Sequence, residues 1–276
     1  VMAQTGPIFR LEGISYRYHG RHSALDQVDL VVEPGEQLVI LGANGSGKST
    51  LLKILDGLYR PTSGRLWAFG EEITDVADDP ERARWLHRRV GLVFQDPDVQ
   101  LFSPTVYDDV AFGPLQLGWP EEQVREQVAR ALRAMEVAHL ADRAPYELSG
   151  GEKRRVAIAT VLAMDPEVVL LDEPTANLDP RTRAALVHLI RGMRDLGKTV
   201  ILTTHELDIV PGIATRVVVF GDQERRPVAS GHPSEILRDT DLLVRTNLIH
   251  EHLHWHGELA HTHPHAHDGE HLHEHR

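Results

Sequence analysis

Eight consecutive positions, Gly42-Ala43-Asn44-Gly45-Ser46-Gly47-Lys48-Ser49, constrain this chain more than any other stretch. They follow the short, partly β-branched run Leu38-Val39-Ile40-Leu41 and lead into a helical pattern from Lys48 to Leu55, so the context is strand, loop, helix. Glycines in such a loop let successive backbone N–H groups curl around phosphate. Lys48 then reaches the terminal phosphates, Ser49 offers its hydroxyl to magnesium, and the start of the helix adds a positive dipole end.

Further short apolar runs at Val90 to Phe94, Val168 to Leu171, Thr199 to Leu202 and Val217 to Phe220 alternate with helical patterns. That alternation predicts an α/β fold with a mostly parallel sheet covered on both faces. The third run, Val168-Val169-Leu170-Leu171-Asp172-Glu173, ends in two carboxylates, and strand C-termini line the ligand crevice of a parallel sheet. Asp172 is therefore the expected magnesium partner, and Glu173 the group expected to polarise an attacking water. Between the second and third runs, Pro120-Glu121-Glu122 opens a helix with Val124, Val128, Leu132 and Met135 at three- and four-residue spacing, which predicts an inserted helical lobe. From Gly231 onward strand signals stop, and Pro233 with Ser234 leads into a short helix before a histidine-rich end.

Composition narrows the function classes. The 276 residues suffice for one large or two small domains. Cysteine is absent, so any metal chemistry uses nitrogen and oxygen ligands, and the composition suits a reducing compartment. No apolar run approaches the roughly 18 residues of a spanning helix, and the start lacks the basic and apolar regions of a secretory signal, so export is not expected. With 41 acidic against 29 basic residues, a broad nucleic-acid-binding face is disfavoured, while a local anion site is not.

Three further segments carry a family resemblance. Leu148-Ser149-Gly150-Gly151-Glu152 resembles the signature motif of ATP-binding cassette (ABC) proteins, Ala176-Asn177-Leu178-Asp179 resembles their D-loop, and Thr204-His205 resembles their switch histidine. Gln95 after the second strand completes the family's order. The resemblance covers about residues 8–235. It implies a P-loop NTPase core with a helical subdomain at about 95–165, followed by a C-terminal helix and histidine-rich tail over 236–276. It also implies a head-to-tail dimer, two ATP molecules lying between one subunit's P-loop and the other's signature.

The implied nucleotide contacts are Tyr18, Gly42, Asn44, Gly45, Ser46, Gly47, Lys48, Ser49, Thr50, Gln95, Asp172, Ser149, Gly150, Gly151 and Asp179. Tyr18 matches the aromatic that stacks on adenine, with Tyr16 as its competitor. Ser49, Gln95 and Asp172 would hold Mg2+, and Glu173, His205 and Gln95 would carry catalysis, His205 by a hydrogen bond to the γ-phosphate. One position departs from the pattern: the signature usually ends in glutamine, and here it is Glu152. A carboxylate beside triphosphate is repelled unless it points away, is paired or is protonated. Lys153, Arg154 and Arg155 follow and are candidates to offset it.

The segment Gln95-Asp96-Pro97-Asp98-Val99-Gln100-Leu101-Phe102, with Thr105-Val106 and Asp108 to Pro114, resembles the ATPases of energy-coupling-factor importers, which take up vitamins or transition-metal ions. The resemblance implies a peripheral protein on the cytoplasmic face of the cell membrane, bound to a membrane coupling subunit and a substrate-specific membrane component. Val99, Leu101 and Phe102 are the apolar residues expected to seat a partner helix; packing within the lobe is the alternative for each. Histidine then favours cobalt or nickel as cargo: 18 histidines in all, with His250, His252, His254 and His256 alternating and His261, His263, His265 and His267 alternating again. Imidazole suits Co2+ and Ni2+, and His254, His256, His261, His263, His265 and His267 are the candidate tail ligands, against a tail that takes up metal incidentally. A vitamin importer and a soluble non-transport ABC ATPase are the other readings. The span from Gln95 to Ser149 is too short for the long coiled coil of DNA-repair members, and a single motif set does not match the two-cassette ribosomal ones.

Overall fold

The computed structural model describes residues 6–256 and 259–266. Five strands come first: β1 (Phe9–Tyr18), β2 (His22–Val32), β3 (Gln37–Leu41), β4 (Ser63–Ala68) and β5 (Glu71–Glu72). All but β3 form a four-stranded antiparallel sheet in the order β2-β1-β4-β5. This second sheet was not foreseen, because its strands alternate buried and exposed residues and contain no continuous apolar run.

The remaining core strands are β6 (Val90–Val93), β7 (Val168–Asp172), β8 (Thr199–Thr204), β9 (Arg216–Phe220) and β10 (Pro227–Gly231). They join β3 in a six-stranded sheet ordered β10-β9-β3-β8-β7-β6, parallel throughout except for the edge strand β10. Helices α1 (Lys48–Leu55) and α2 (Pro80–His87) precede β6; α3 (Val106–Gln116), α4 (Glu121–Ala134) and α5 (Gly150–Leu162) lie between β6 and β7. After β7 come α6 (Pro180–Asp195), α7 (Val210–Ile213), α8 (Pro233–Ile236) and α9 (Thr240–Arg245).

Period-two alternation divides the core. Leu38 and Ile40 of β3, with Leu170 and Ile201, pack with α1 and the antiparallel sheet; Val39 and Leu41, with Leu171 and Leu202, pack with the helices that follow β6. Both faces being covered, the parallel strands read as unbroken apolar runs. The helix expected from Pro120 is α4, with Val124, Val128 and Leu132 buried and Met135 at its C-terminal boundary.

Strand structure does not end at Gly231. An antiparallel hairpin of β11 (Ile249–His256) and β12 (Leu259–Ala266) occupies part of the histidine-rich end, whose alternation of histidine with other residues carries no hydropathy signal for a strand. Leu101 is corrected too: it is 7% exposed in the core, so packing rather than docking explains it.

Candidate nucleotide site

Gly47 caps the N-terminus of α1 at φ 102°, and a Cβ there would lie 2.3 Å from the Ala24 carbonyl oxygen and 2.8 Å from Leu25 Cδ2. Only glycine lets the loop lie this close to β2. Lys48, buried beneath the loop, donates to the carbonyl oxygens of Gly42 at 2.7 Å and Ala43 at 3.1 Å, and stands 3.2 Å from Glu173 Oε1. Ser46 Oγ is buried with no hydrogen-bond partner among the described residues, a polar atom left for an incoming oxygen.

Sheet register sets the acidic end. Asp172 pairs with Thr203 across β7 and β8, and Asp172 Oδ1 accepts from Thr203 Oγ1 at 2.7 Å and from Ser49 Oγ at 2.9 Å. Two hydroxyls and a carboxylate form an oxygen donor set that fits a hard divalent cation such as Mg2+. Glu173 follows at φ 45°, a left-handed conformation that costs about 1–3 kcal/mol for a residue with a Cβ. Its N–H compensates by donating to the Thr203 carbonyl at 3.1 Å and to Thr203 Oγ1 at 3.2 Å.

Burial pushes the Glu173 carboxyl pKa up, but the hydrogen bond from His205 and the charge of Lys48 outweigh it and hold the group below the ordinary range. His205 Nδ1 donates to Glu173 Oε2 at 3.0 Å. Glu173 is thus an ionised carboxylate fixed by two cationic or donor side chains, competent to accept a hydrogen bond from water.

A cavity of about 830 Å³ opens over this arrangement and is lined by Tyr18, Asn44, Gly45, Gly47, Lys48, Ser49, Thr50, Gln95 and Glu173. Tyr18 donates to or accepts from Thr50 Oγ1 at 3.0 Å, whereas Tyr16 stacks on Tyr59 with centroids 5.1 Å apart and does not line the cavity. Gly42, Ser46, Asp172 and His205 are not among the cavity's lining residues. Sequence reasoning missed Thr203 and Arg225. Thr203 is supplied by strand register; Arg225, from the turn between β9 and β10, donates to the Gly45 carbonyl across a separation that no local pattern reports. Arg17 and Arg21, which add positive charge to the lining, flank Tyr18 and were within reach of sequence reading.

The signature residues gather elsewhere. Gly150 lines a separate cavity of about 410 Å³ with Lys153, Arg154, Ala176, Asn177 and Leu178, and Gln95 borders both cavities. Ser149 caps α5 in a capping box: Glu152 Oε2 accepts from the Ser149 N–H at 2.8 Å and from Ser149 Oγ at 2.7 Å, and the Glu152 N–H returns to Ser149 Oγ at 3.4 Å. These bonds hold the Glu152 carboxyl below its ordinary pKa, aided by Arg143 and Arg155. Of the expected offsetting cations, Lys153 is committed to Asp98 at 2.6 Å and Arg154 to the Phe94 carbonyl at 3.0 Å. Arg143, outside the motif, takes their place. Gly151 lies where a Cβ would meet Thr182 Cγ2 at 2.9 Å, holding the start of α5 against α6. Asp179 caps α6, accepting from the N–H groups of Arg181 at 3.0 Å and Thr182 at 3.1 Å. Within one chain, Ser149, Gly150, Gly151 and Asp179 do not reach the cavity over the phosphate loop.

Comparison with known proteins places the chain in a family. The ABC transporter family model matches residues 25–176. The chain is 49% identical to the nickel import ATP-binding protein NikO of Rhodobacter capsulatus, over 88% of this chain and 96% of that one. It is 43% identical to the energy-coupling factor transporter ATP-binding protein EcfA of Methanothermobacter thermautotrophicus, over 87% and 76%. Among solved structures, cbiO1 of Clostridium perfringens, part of the ABC transporter complex cbiONQ, superposes with TM-score 0.75 at 39% identity, covering 88% of this chain and 95% of that one. The dimeric ATP-binding cassette MJ0796 bound to ADP and Pi superposes with TM-score 0.74 at 28% identity, covering 82% and 98%.

Proposed function

This chain belongs to the ABC transporter ATPase family, and from that premise we propose that the ATP it hydrolyses drives uptake of a transition-metal ion, cobalt or nickel, through an energy-coupling-factor type importer. The observation that carries the cargo is the similarity, over 88% of the chain, to a nickel import ATPase. A vitamin importer is the second reading, favoured by the similarity to EcfA, whose name specifies no metal.

In the proposed mechanism the phosphate loop and Lys48 hold the triphosphate, while Ser49, Asp172 and Gln95 hold Mg2+. Magnesium, when bound, neutralises charge that develops on the phosphate oxygens. Lys48 would exchange its bonds to the Gly42 and Ala43 carbonyls for phosphate oxygens. Glu173 would align and polarise the attacking water, and His205, already bonded to Glu173, would add a hydrogen bond to the γ-phosphate. Tyr18 would stack on the adenine.

The signature residues complete the site in a head-to-tail dimer. Ser149, Gly150 and Gly151 open a 13-residue helix whose N-terminal end suits a phosphate, yet they lie off the nucleotide cavity of their own chain. The dimeric cassette MJ0796 supports this arrangement. Gln95, which borders both cavities, would report nucleotide closure to the helices that follow β6.

A groove of about 690 Å³ on that side, lined by Phe102, Phe112 and Leu117, would seat a helix of the membrane coupling subunit. Phe102 is 66% exposed and meets Phe112 edge-on with ring centroids 5.0 Å apart; Val99 is exposed as well. Among the described residues no helix is long and apolar enough to cross a membrane, so the chain would sit peripherally on the cytoplasmic face, with a substrate-specific component in the membrane. The tail histidines His254, His256, His261, His263 and His265 would take Co2+ or Ni2+; His267 lies outside the described residues.

The test is copurification from native membranes in mild detergent, using capture other than metal resin. A coupling subunit recovered with a metal-specific component supports the proposal. A vitamin-binding component supports the second reading, and recovery of the chain without any membrane partner overturns both.

A further inference from the structure

We infer that Arg225 is a positioning residue for ATP binding: its guanidinium, reaching from the turn between β9 and β10, fixes the tip of the phosphate loop so that backbone N–H groups face the triphosphate, a role that rests on the phosphate-loop reading proposed above. Arg225 lines the nucleotide cavity with Asn44, Gly45 and Lys48 and donates to the Gly45 carbonyl oxygen.

The loop is packed at both ends and unpacked at its tip. A Cβ on Gly42 would meet Phe220 Cβ at 3.2 Å, and one on Gly47 would meet the Ala24 carbonyl oxygen at 2.3 Å, so neither end has room to shift. At Gly45, with φ 83°, a Cβ would meet nothing within 4 Å, and Asn44 beside it is exposed. Sterics therefore leave the orientation of the Gly45–Ser46 peptide open, at the residue type with the most freedom to change it. The bond from Arg225 removes that freedom.

Orientation matters because the carbonyl and N–H of a trans peptide point in opposite directions. While the guanidinium holds the Gly45 carbonyl on one side, the Ser46 N–H is directed to the other, where it donates to the Ala43 carbonyl oxygen at 3.2 Å. Lys48 Nζ donates to that same oxygen at 3.1 Å. Two donors thus converge on one oxygen, an arrangement that a phosphate oxygen can take over. Turned round, the peptide would present its carbonyl dipole to the anion instead.

The mount for the guanidinium is itself tied down. The Arg225 N–H donates to the Gly221 carbonyl at 3.1 Å, the Gly221 N–H donates to the Arg226 carbonyl at 3.1 Å, and the Arg225 carbonyl accepts from the Asp26 N–H of β2 at 3.0 Å. The turn that follows β9 is therefore fastened to the antiparallel sheet as well, and a charge-assisted bond carries that rigidity to the loop tip.

The experiment uses the full chain and measures binding of ATP, ADP and inorganic tripolyphosphate, each with Mg2+, by calorimetry, together with steady-state hydrolysis of MgATP. Arg225 sits at φ 56°, so the truncations are Arg225→Asn and Arg225→Gly, whose side chains tolerate the left-handed backbone; Arg225→Lys keeps a cationic donor. Unliganded Tm close to the parent's checks that each variant is folded. Both truncations should weaken all three ligands alike, by about tenfold, the size of one lost hydrogen bond from a charged donor. KM for MgATP should rise by the same factor while kcat holds, and Arg225→Lys should recover most of the loss. A merely structural role would not produce that split or that rescue. Unchanged tripolyphosphate affinity overturns the inference, a loss confined to nucleotides assigning Arg225 to base or ribose. Loss of ATP and tripolyphosphate with ADP spared overturns it as well, because it assigns Arg225 to the γ-phosphate itself. Lys48→Ala is measured alongside: if it loses tripolyphosphate and the Arg225 truncations do not, the role of Arg225 falls alone, and if none of them does, the phosphate-loop reading falls with it.

Discussion

The phosphate loop and the signature turn are built differently. At the phosphate loop, Lys48, Asp172 and Glu173 are buried and already bonded to one another's neighbours, so the chain assembles the charged cluster alone. At the signature, Ser149 and Gly150 are exposed, and the donors of Ser149 are satisfied by Glu152 of the same turn. One half is wired before ligand arrives. In the proposed dimer the Ser149 hydroxyl would exchange its bond to Glu152 for a phosphate oxygen, so second-copy binding would compete with the capping box.

The sharpest break in that comparison is Glu173→Gln. Loss of a general base typically costs about 10²–10⁴-fold, so turnover should fall by that order while ATP binding persists in a filter or fluorescence assay. Undiminished turnover would remove Glu173 from the mechanism. Lys48→Ala comes next. It should weaken ATP affinity about tenfold or more and leave Glu173 buried without its cation, so unchanged affinity would count against the phosphate-cradle reading.

The signature half predicts a smaller effect of opposite sign. Glu152→Gln removes a carboxylate held ionised by its bonds to Ser149 yet keeps an acceptor for the cap, so ATP-dependent dimerisation and turnover should rise a few-fold. A fall in both would show that the charge is needed in place. The smallest expected effect is on stability. Asp56, at the end of α1, is buried, and desolvation raises its pKa well above 3.8. Its folded form therefore holds a proton that the unfolded chain releases, and stability declines as pH rises from the unfolded value through the folded one. Asp56→Asn should raise Tm by a few degrees at neutral pH, the gap to the parent closing toward pH 4; a constant gap would refute the titration.

Much of the phosphate half could be read from residues in a row. The loop, its strand and helix, and the Asp172-Glu173 pair are consecutive, and each is dictated by local geometry. Thr203 and Arg225 were invisible because each acts across a long sequence separation, and Arg143 because it stands outside the signature motif whose Glu152 it faces. The antiparallel sheet escaped because its half-exposed strands lack a run of apolar residues. Leu101 and Phe102 show the limit at one residue's spacing: both are apolar neighbours, yet one is 7% and the other 66% exposed.

By itself, the sequence determined the phosphate-binding loop, the α/β alternation and the order of the family motifs, because backbone permissiveness and hydrophobic periodicity are local properties. Tertiary structure alone decided that Thr203 braces Asp172 and that Arg225 reaches the Gly45 carbonyl. Each of those depends on register or packing between distant segments, and register is fixed only when the strands meet.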